Sequence, residues 1–182
     1  MSLIRLIPFR TEYAADMAEL LADQAVHQYL DLPLCTTDDC IFNITNAMAM
    51  EALGFALHRL ILDSNDRLVG GISLVNIDQE EGSAFMGTWL GQAYWGQGFN
   101  QAAKMEMLRI AFEQLCLTRI FFVTPREHTR SLRALEKLPY VQVHVNRDYP
   151  SLCKRIEYQL GREIVLSVVT KELWETKNGP LM

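Results

Sequence analysis

Between Leu90 and Phe99 the chain passes from an apolar, strand-like run, SAFMGTWL, through GQAYWGQG into an amphipathic, helix-like stretch beginning FNQAAKMEML. This junction constrains the fold more than any other segment. A helix entered in this way leaves its first backbone N–H groups without partners, pointing back into the junction, where phosphate oxygens can satisfy them. Gly96 and Gly98 remove side chains at that place, and each adopts positive φ at little cost. Tyr94 and Trp95 are expected to pack the outside of the turn. A P-loop would close with Gly-Lys-Ser/Thr, whereas Gly98 is followed by Phe99 and Asn100. A Rossmann fingerprint needs a third glycine, where Gln101 stands. By spacing alone, two glycines that merely make a tight strand-to-helix turn remain an alternative.

The elements around the junction are read from periodicity. LIRLIPF forms a first strand, and TEYAADMAELLADQAVHQYL a helix with Thr11 as N-cap. A second helix starts at Thr36 or Thr37, with Asp38 and Asp39 at the positive end of its dipole. FALHRLIL, LVGGISLV and SAFMGTWL are short apolar runs separated by turn-rich segments of hairpin length, an antiparallel meander. After the glycine turn come a helix from about Phe99 to Leu115 and RIFFV, a strand apolar on both faces. HTRSLRALEKL is a short helix, YVQVHVNR a period-two strand with one wet face, the segment through Gly161 a loop, and EIVLSVV a last strand.

With 182 residues, 49% of them apolar, the chain is long enough for one substantial core and is expected to be a single domain, residues 1–182. A net charge of −5 argues against sequence-independent nucleic-acid binding, which needs a basic face. The charged residues near the N-terminus, and the lack of about 18 consecutive apolar residues, lead us to expect neither a signal peptide nor a membrane span. Cys35, Cys40, Cys116 and Cys153 form no CxxC pair and have no His partner at metal spacing. No metal and a cytoplasmic location are expected.

AYWGQG, in the form YWGQGF, together with NQAAKMEMLRIAFEQLCLTRI and SLRALEKLPY, resembles the GCN5-related N-acetyltransferases, specifically the branch of the ribosomal-protein N-terminal acetyltransferases. The likeness covers nearly the whole chain. It implies a mixed α/β (α+β) acyltransferase fold, with a twisted, mostly antiparallel sheet flanked by helices and splayed by acetyl-CoA. It also implies that pyrophosphate rests on backbone N–H groups of Trp95, Gly96, Gln97, Gly98, Phe99 and Asn100. Pantetheine would run alongside Thr88, Trp89 and Leu90, with an N–H of Trp89 or Leu90 stabilising the thioester oxyanion. Four positions depart from the family pattern: Ala93 for Arg or Gln, His128 for Asn, Leu138-Pro139-Tyr140 for Leu-Gly-Phe, and Phe85 for a glutamate. The first three leave the backbone cradle intact, and Phe85 removes an obvious carboxylate base.

The implied reaction is acetyl transfer to a primary amine, a protein N-terminus or a small molecule, by direct attack in a ternary complex. The alternatives are an acyl-CoA-binding module without turnover and a nucleotide-binding protein using the same turn. Ser131 is the catalytic candidate, because the resemblance puts its hydroxyl beside the CoA sulfur; an ordinary first-turn serine is the other reading, and Leu135 stands where many relatives have a tyrosine. His128 is a candidate cofactor contact or a helix cap, and His58 a core residue or an acceptor-pocket residue. Asp78, Glu80 and Glu81 read as a solvated hairpin tip, since Glu81 lies roughly 23 Å along the strand from Thr88. Asp148 and Tyr149 are further loop candidates. Cys116, at a helix end, reads as packing, and no cysteine has the setting of a nucleophile.

Overall fold

The computed structural model describes residues 3–28, 30 and 35–178. Its six strands are β1 (Arg5–Pro8), β2 (Ala56–Leu62), β3 (Leu68–Asp78), β4 (Ser83–Leu90), β5 (Arg119–Pro125) and β6 (Ile164–Thr170). They hydrogen-bond in sequence order within one sheet. β1/β2, β2/β3 and β5/β6 pair antiparallel, while β4/β5 is parallel, as expected of two strands joined through a helix. The mixed, mostly antiparallel α+β class expected from the sequence is therefore the one observed.

The described residues form two compact units, one made of those within 1–77 and 87–110, the other of those within 78–86 and 111–182. β4 passes through both. In the first unit, helices α1 (Ala14–Leu21), α2 (Gln24–His27) and α3 (Thr37–Ala52) precede β2, and α4 (Phe99–Arg109) follows β4. Met17, Leu21, Val26, Cys40, Ile44 and Leu60 form part of its core, with Trp89 and Trp95 packed against them. The second unit holds α5 (Thr129–Glu136), α6 (Pro150–Leu160) and α7 (Lys171–Asn178) around β5 and β6. Phe121, Ile156, Ile164 and Val168 belong to a core cluster there.

Several local expectations hold in detail. Thr36 caps α3 in a reciprocal box: Asp39 N–H donates to Thr36 Oγ1 (3.2 Å), and Thr36 N–H donates to Asp39 Oδ2 (2.9 Å). Others are corrected. The long first helix is broken: Thr11–Tyr13 is a 3₁₀ turn, Thr11 is not its cap, and the chain restarts at Asp23, whose carboxylate caps α2 through Ala25 N–H (2.8 Å). The end of that expected helix includes Tyr29, which lies outside the described residues. α4 ends at Arg109 and gives way to a π-helical turn, Ile110–Gln114.

YVQVHVNR is not a strand. It makes one isolated bridge, Gln142 with Val168, after which His144 takes a left-handed conformation (φ 62°) and Val145–Arg147 forms a 3₁₀ turn. The reason is a side chain. Asn146 donates from Nδ2 to the Ile164 carbonyl (2.9 Å) and accepts at Oδ1 from Leu166 N–H (3.0 Å), meeting β6 in place of a backbone partner. The expected loop before Gly161 is helix α6, started by Pro150 and closed by Gly161 in the left-handed region (φ 64°).

Candidate functional site

The glycine turn lies within the first unit. After Leu90, Gly91 leads into a 3₁₀ turn, Gln92–Tyr94; Gly96 and Gly98 then adopt φ of 74° and 86°, and Gly98 is the N-cap of α4. No side chain caps that helix end. A Cβ at Gly96 would meet no protein atom within 4 Å, so crowding by the protein does not require glycine there. The left-handed backbone does, and it leaves the space in front of the α4 N-terminus to a ligand. The residues present therefore fit a phosphate group: backbone donors, room beside them and the positive end of an eleven-residue helix.

Side chains of the turn hold its shape. Trp95 donates from Nε1 to the Leu90 carbonyl (2.9 Å), and Gln97 donates from Nε2 to the Ala93 carbonyl (2.6 Å). Tyr94 and Phe99 meet edge to face at 5.8 Å between ring centroids. Phe99 is buried, so its remaining offer to a ligand is its N–H. Ala93 thus contributes a carbonyl that anchors Gln97, a role indifferent to which side chain stands at position 93.

Strand alternation separates the two candidate oxyanion donors. A Cβ at Gly70 of β3 would collide with the Trp89 carbonyl, one at Gly71 would lie 2.7 Å from Trp89 Nε1, and Gly91 N–H donates to the Val69 carbonyl (3.0 Å). The backbones of residues 89 and 91 therefore face β3, and Leu90 directs its N–H the other way. Of the pair Trp89 and Leu90, it is Leu90 whose N–H points away from β3. Among the described residues the β4/β5 ladder runs from Ser83/Arg119 to Phe85/Phe121 and no further, although β4 continues to Leu90.

Lys104, on α4, was not singled out by the sequence reading. It is 7% exposed, and its ammonium donates to Thr88 Oγ1 of β4 (3.3 Å) and to Asn100 Oδ1. Burial pushes its pKa down to about 7. The signal was available in the sequence: Lys104 lies four residues after Asn100 and next to Ala103, on a helix whose Phe99, Ala103, Met107 and Leu108 are all buried.

In the second unit, His128 occupies the N-cap position of α5, but its side chain makes no capping bond; its N–H donates to the Pro125 carbonyl (2.9 Å). Burial is the main cause holding its pKa below the usual imidazole value, with Arg130 adding to it. Ser131 stands half-buried in the first turn of α5, and Leu135, one turn on, is buried. Phe85 packs against Phe121 at 5.6 Å between centroids, and Tyr149 meets Phe121 edge-on at 5.0 Å. An aromatic cluster thus occupies the position of the family's glutamate. Tyr140 is buried edge-on against Trp174, and burial raises its pKa to about 12.

The remaining candidates find structural surroundings. His58 shares a hydrogen bond between Nδ1 and Ser73 Oγ (2.8 Å) and packs its ring on Phe9. Asp78 accepts from the N–H groups of Glu80 and Glu81, shaping an exposed hairpin tip. Cys116 is exposed and left-handed (φ 56°), so the packing expected of it is absent. Cys40 is fully buried, and burial raises its pKa to about 11. Among the described residues no group of three His, Cys, Asp or Glu could hold a metal ion, and no helix is long and apolar enough to cross a membrane.

The acetyltransferase (GNAT) domain model matches residues 4–141. The chain belongs to this family. An N-acetyltransferase of Bacillus licheniformis named p20, described as uncharacterized, is 33% identical over 90 residues, covering 50% of this chain and 51% of that protein. YdaF of Bacillus subtilis, named "Putative ribosomal N-acetyltransferase", is 31% identical over 81 residues, 44% of each chain. The match thus spans about half the length of these curated relatives. A solved structure described as a "Probable acetyltransferase" superposes with a TM-score of 0.76 over 96% of both chains at 22% identity, which shows the fold. The family expected from YWGQGF is the family found.

Proposed function

We propose that this protein transfers an acetyl group from acetyl-CoA to a primary amine. The carrying observation is the pair of left-handed glycines that opens a space onto the uncapped N-terminus of α4. In this reading the N–H groups from Trp95 to Asn100 hold the pyrophosphate, pantetheine runs along the β4 edge that includes Leu90, and Leu90 N–H donates to the developing oxyanion. The neutral amine attacks the thioester carbon, the new C–N bond forms, the C–S bond breaks, and the amine proton passes to solvent. Ser131, assigned by the family likeness, donates a hydrogen bond to the departing thiolate, and His128 contacts the cofactor. No acetyl-cysteine intervenes, in line with the buried Cys40 thiol held in its protonated form.

The acceptor is a protein N-terminal amine or a small amine, and the name of YdaF supports the former. The two units act as one domain in this proposal, which is supported by a family match that includes residues of both. A cytoplasmic setting is part of it, since no disulfide joins the four cysteines. Mass spectrometry of a panel of N-terminal peptides, polyamines and small amines incubated with acetyl-CoA tests the activity. A mass gain of one acetyl group on an acceptor is the expected result.

A second reading, an acyl-CoA-binding module without turnover, is favoured by one observation: Phe85 and Phe121 pack where the family's carboxylate would stand. A rise in melting temperature with acetyl-CoA, and with neither NAD nor ATP, combined with no acetylated product from the panel, would select it.

A further inference from the structure

A lysine ammonium is seldom buried, because removing its charge from water is costly unless the site uses it. Lys104 is such a group, and its hydrogen bonds to Thr88 and Asn100 join two parts of the proposed acyl-CoA site. Asn100 belongs to the first turn of α4, whose N–H groups form the cradle. Thr88 lies on β4, two residues before Leu90. A shift of the helix start relative to the strand would break one bond or the other. The cradle and the Leu90 donor are therefore tied through one cation.

We propose that Lys104 is a positioning residue for acyl-CoA: it clamps the first turn of α4 to β4 through Asn100 and Thr88, and supplies a buried positive charge one hydrogen bond behind the phosphate cradle. The inference rests on the reading of Gly96 to Asn100 as that cradle. Thr88 and Asn100 are not titratable, β4 carries no ionisable side chain, and on α4 Glu106 and Arg109 pair with each other (2.7 Å). Before the cofactor binds, burial holds the amine largely neutral at mildly alkaline pH. An arriving pyrophosphate favours the charged form, so binding draws a proton onto Nζ. Acetyl-CoA affinity then falls as pH rises above about 7, until the amine of the complex also loses its proton.

Isothermal titration of the intact chain with acetyl-CoA, at about pH 8 in two buffers of different ionisation enthalpy, reads this directly. Phosphate monoesters with a second pKa of about 6 are already fully ionised there and add no proton of their own. The wild type is expected to take up a substantial fraction of one proton. Lys104→Met and Lys104→Gln should take up none, bind acetyl-CoA about tenfold more weakly near neutral pH, and lose the decline in affinity with rising pH. With an acceptor present, KM for acetyl-CoA should rise while KM for the amine stays the same. Wild-type binding without proton uptake overturns the role of Lys104 and leaves the cradle standing, whether or not the variants fold. Folded variants that bind and take up protons like the wild type overturn it equally. A wild type that binds no acetyl-CoA overturns the cradle reading, and the Lys104 role with it.

Discussion

At the glycine turn the backbone is bent into left-handed geometry, with open space beside Gly96, whereas the ring of Phe85 packs on Phe121, which Tyr149 meets edge-on. The first region leaves helix N–H groups without a side-chain cap, which is tolerable where a ligand supplies partners. The second has the composition of a core cluster and gains its stability from burial and edge-to-face contacts. Family membership predicts a polar function at both. The structure keeps that possibility at the first and replaces it with packing at the second. Substitutions should therefore separate them, with binding sensitive in the turn and stability sensitive in the cluster.

Gly96→Val is the strongest way to break this contrast. A β-branched residue at φ 74° is strained by on the order of 1–2 kcal/mol, and its side chain enters the space left for phosphate. Acetyl-CoA binding measured by calorimetry should disappear while circular dichroism still reports a folded chain. Undiminished affinity would refute the cradle. Ser131→Ala comes next: turnover is expected to fall about 100-fold with little change in acetyl-CoA affinity, because a bond to the leaving thiolate strengthens as charge develops. Steady-state kinetics with an accepted amine checks it, and equal turnover would reduce Ser131 to an ordinary helix residue.

Lys104 adds a pH-dependent contrast in stability. Its folded-state pKa lies below its unfolded value, so the unfolded chain binds more protons between about 7 and 10.5. The penalty of burying the charge is fully present below about pH 7 and is relieved as pH rises through that window. Lys104→Met should consequently raise stability near pH 6, by on the order of 2 kcal/mol after the lost hydrogen bonds are counted, and the gain should shrink towards pH 10. Chemical denaturation at a series of pH values checks the sign, and a pH-independent difference would contradict it.

Phe85→Ala sharpens the other side of the comparison. It should cost about 1–2 kcal/mol, as expected for a half-buried ring, and leave acetyl-CoA affinity within about twofold. A large loss of affinity would mean that Phe85 contributes to the cofactor site and is not only packing. The smallest effect is expected from replacing all four cysteines by alanine: a folded variant should keep its acetyl-transfer rate, because no thiol carries the acetyl group. An acetyl-cysteine trapped without acceptor would overturn that expectation.

Much of this was legible in the sequence because it is local. The meander, the Thr36 cap and the glycine turn depend on neighbours a few residues apart, and YWGQGF carried the family. Helix α6 was legible too: Pro150 and Gly161 mark its ends, and reading that stretch as a loop overlooked both. The period-two pattern of Val141, Val143 and Val145 pointed the wrong way, because alternation records which side chains face inward and not whether a strand has a partner. Asn146, reaching across 18 residues to Ile164 and 20 to Leu166, replaced that partner.

The sequence by itself determined the strands of the meander, the Thr36 cap, the glycine turn and the family, since backbone preference, capping and motif spacing act along the chain. Only the tertiary structure decided that Leu90 rather than Trp89 turns its N–H away from β3, that Phe85 joins an aromatic cluster, and that Lys104 bonds Thr88 sixteen residues away. Those three outcomes follow from strand register, burial and desolvation, which arise only when distant segments are brought into contact.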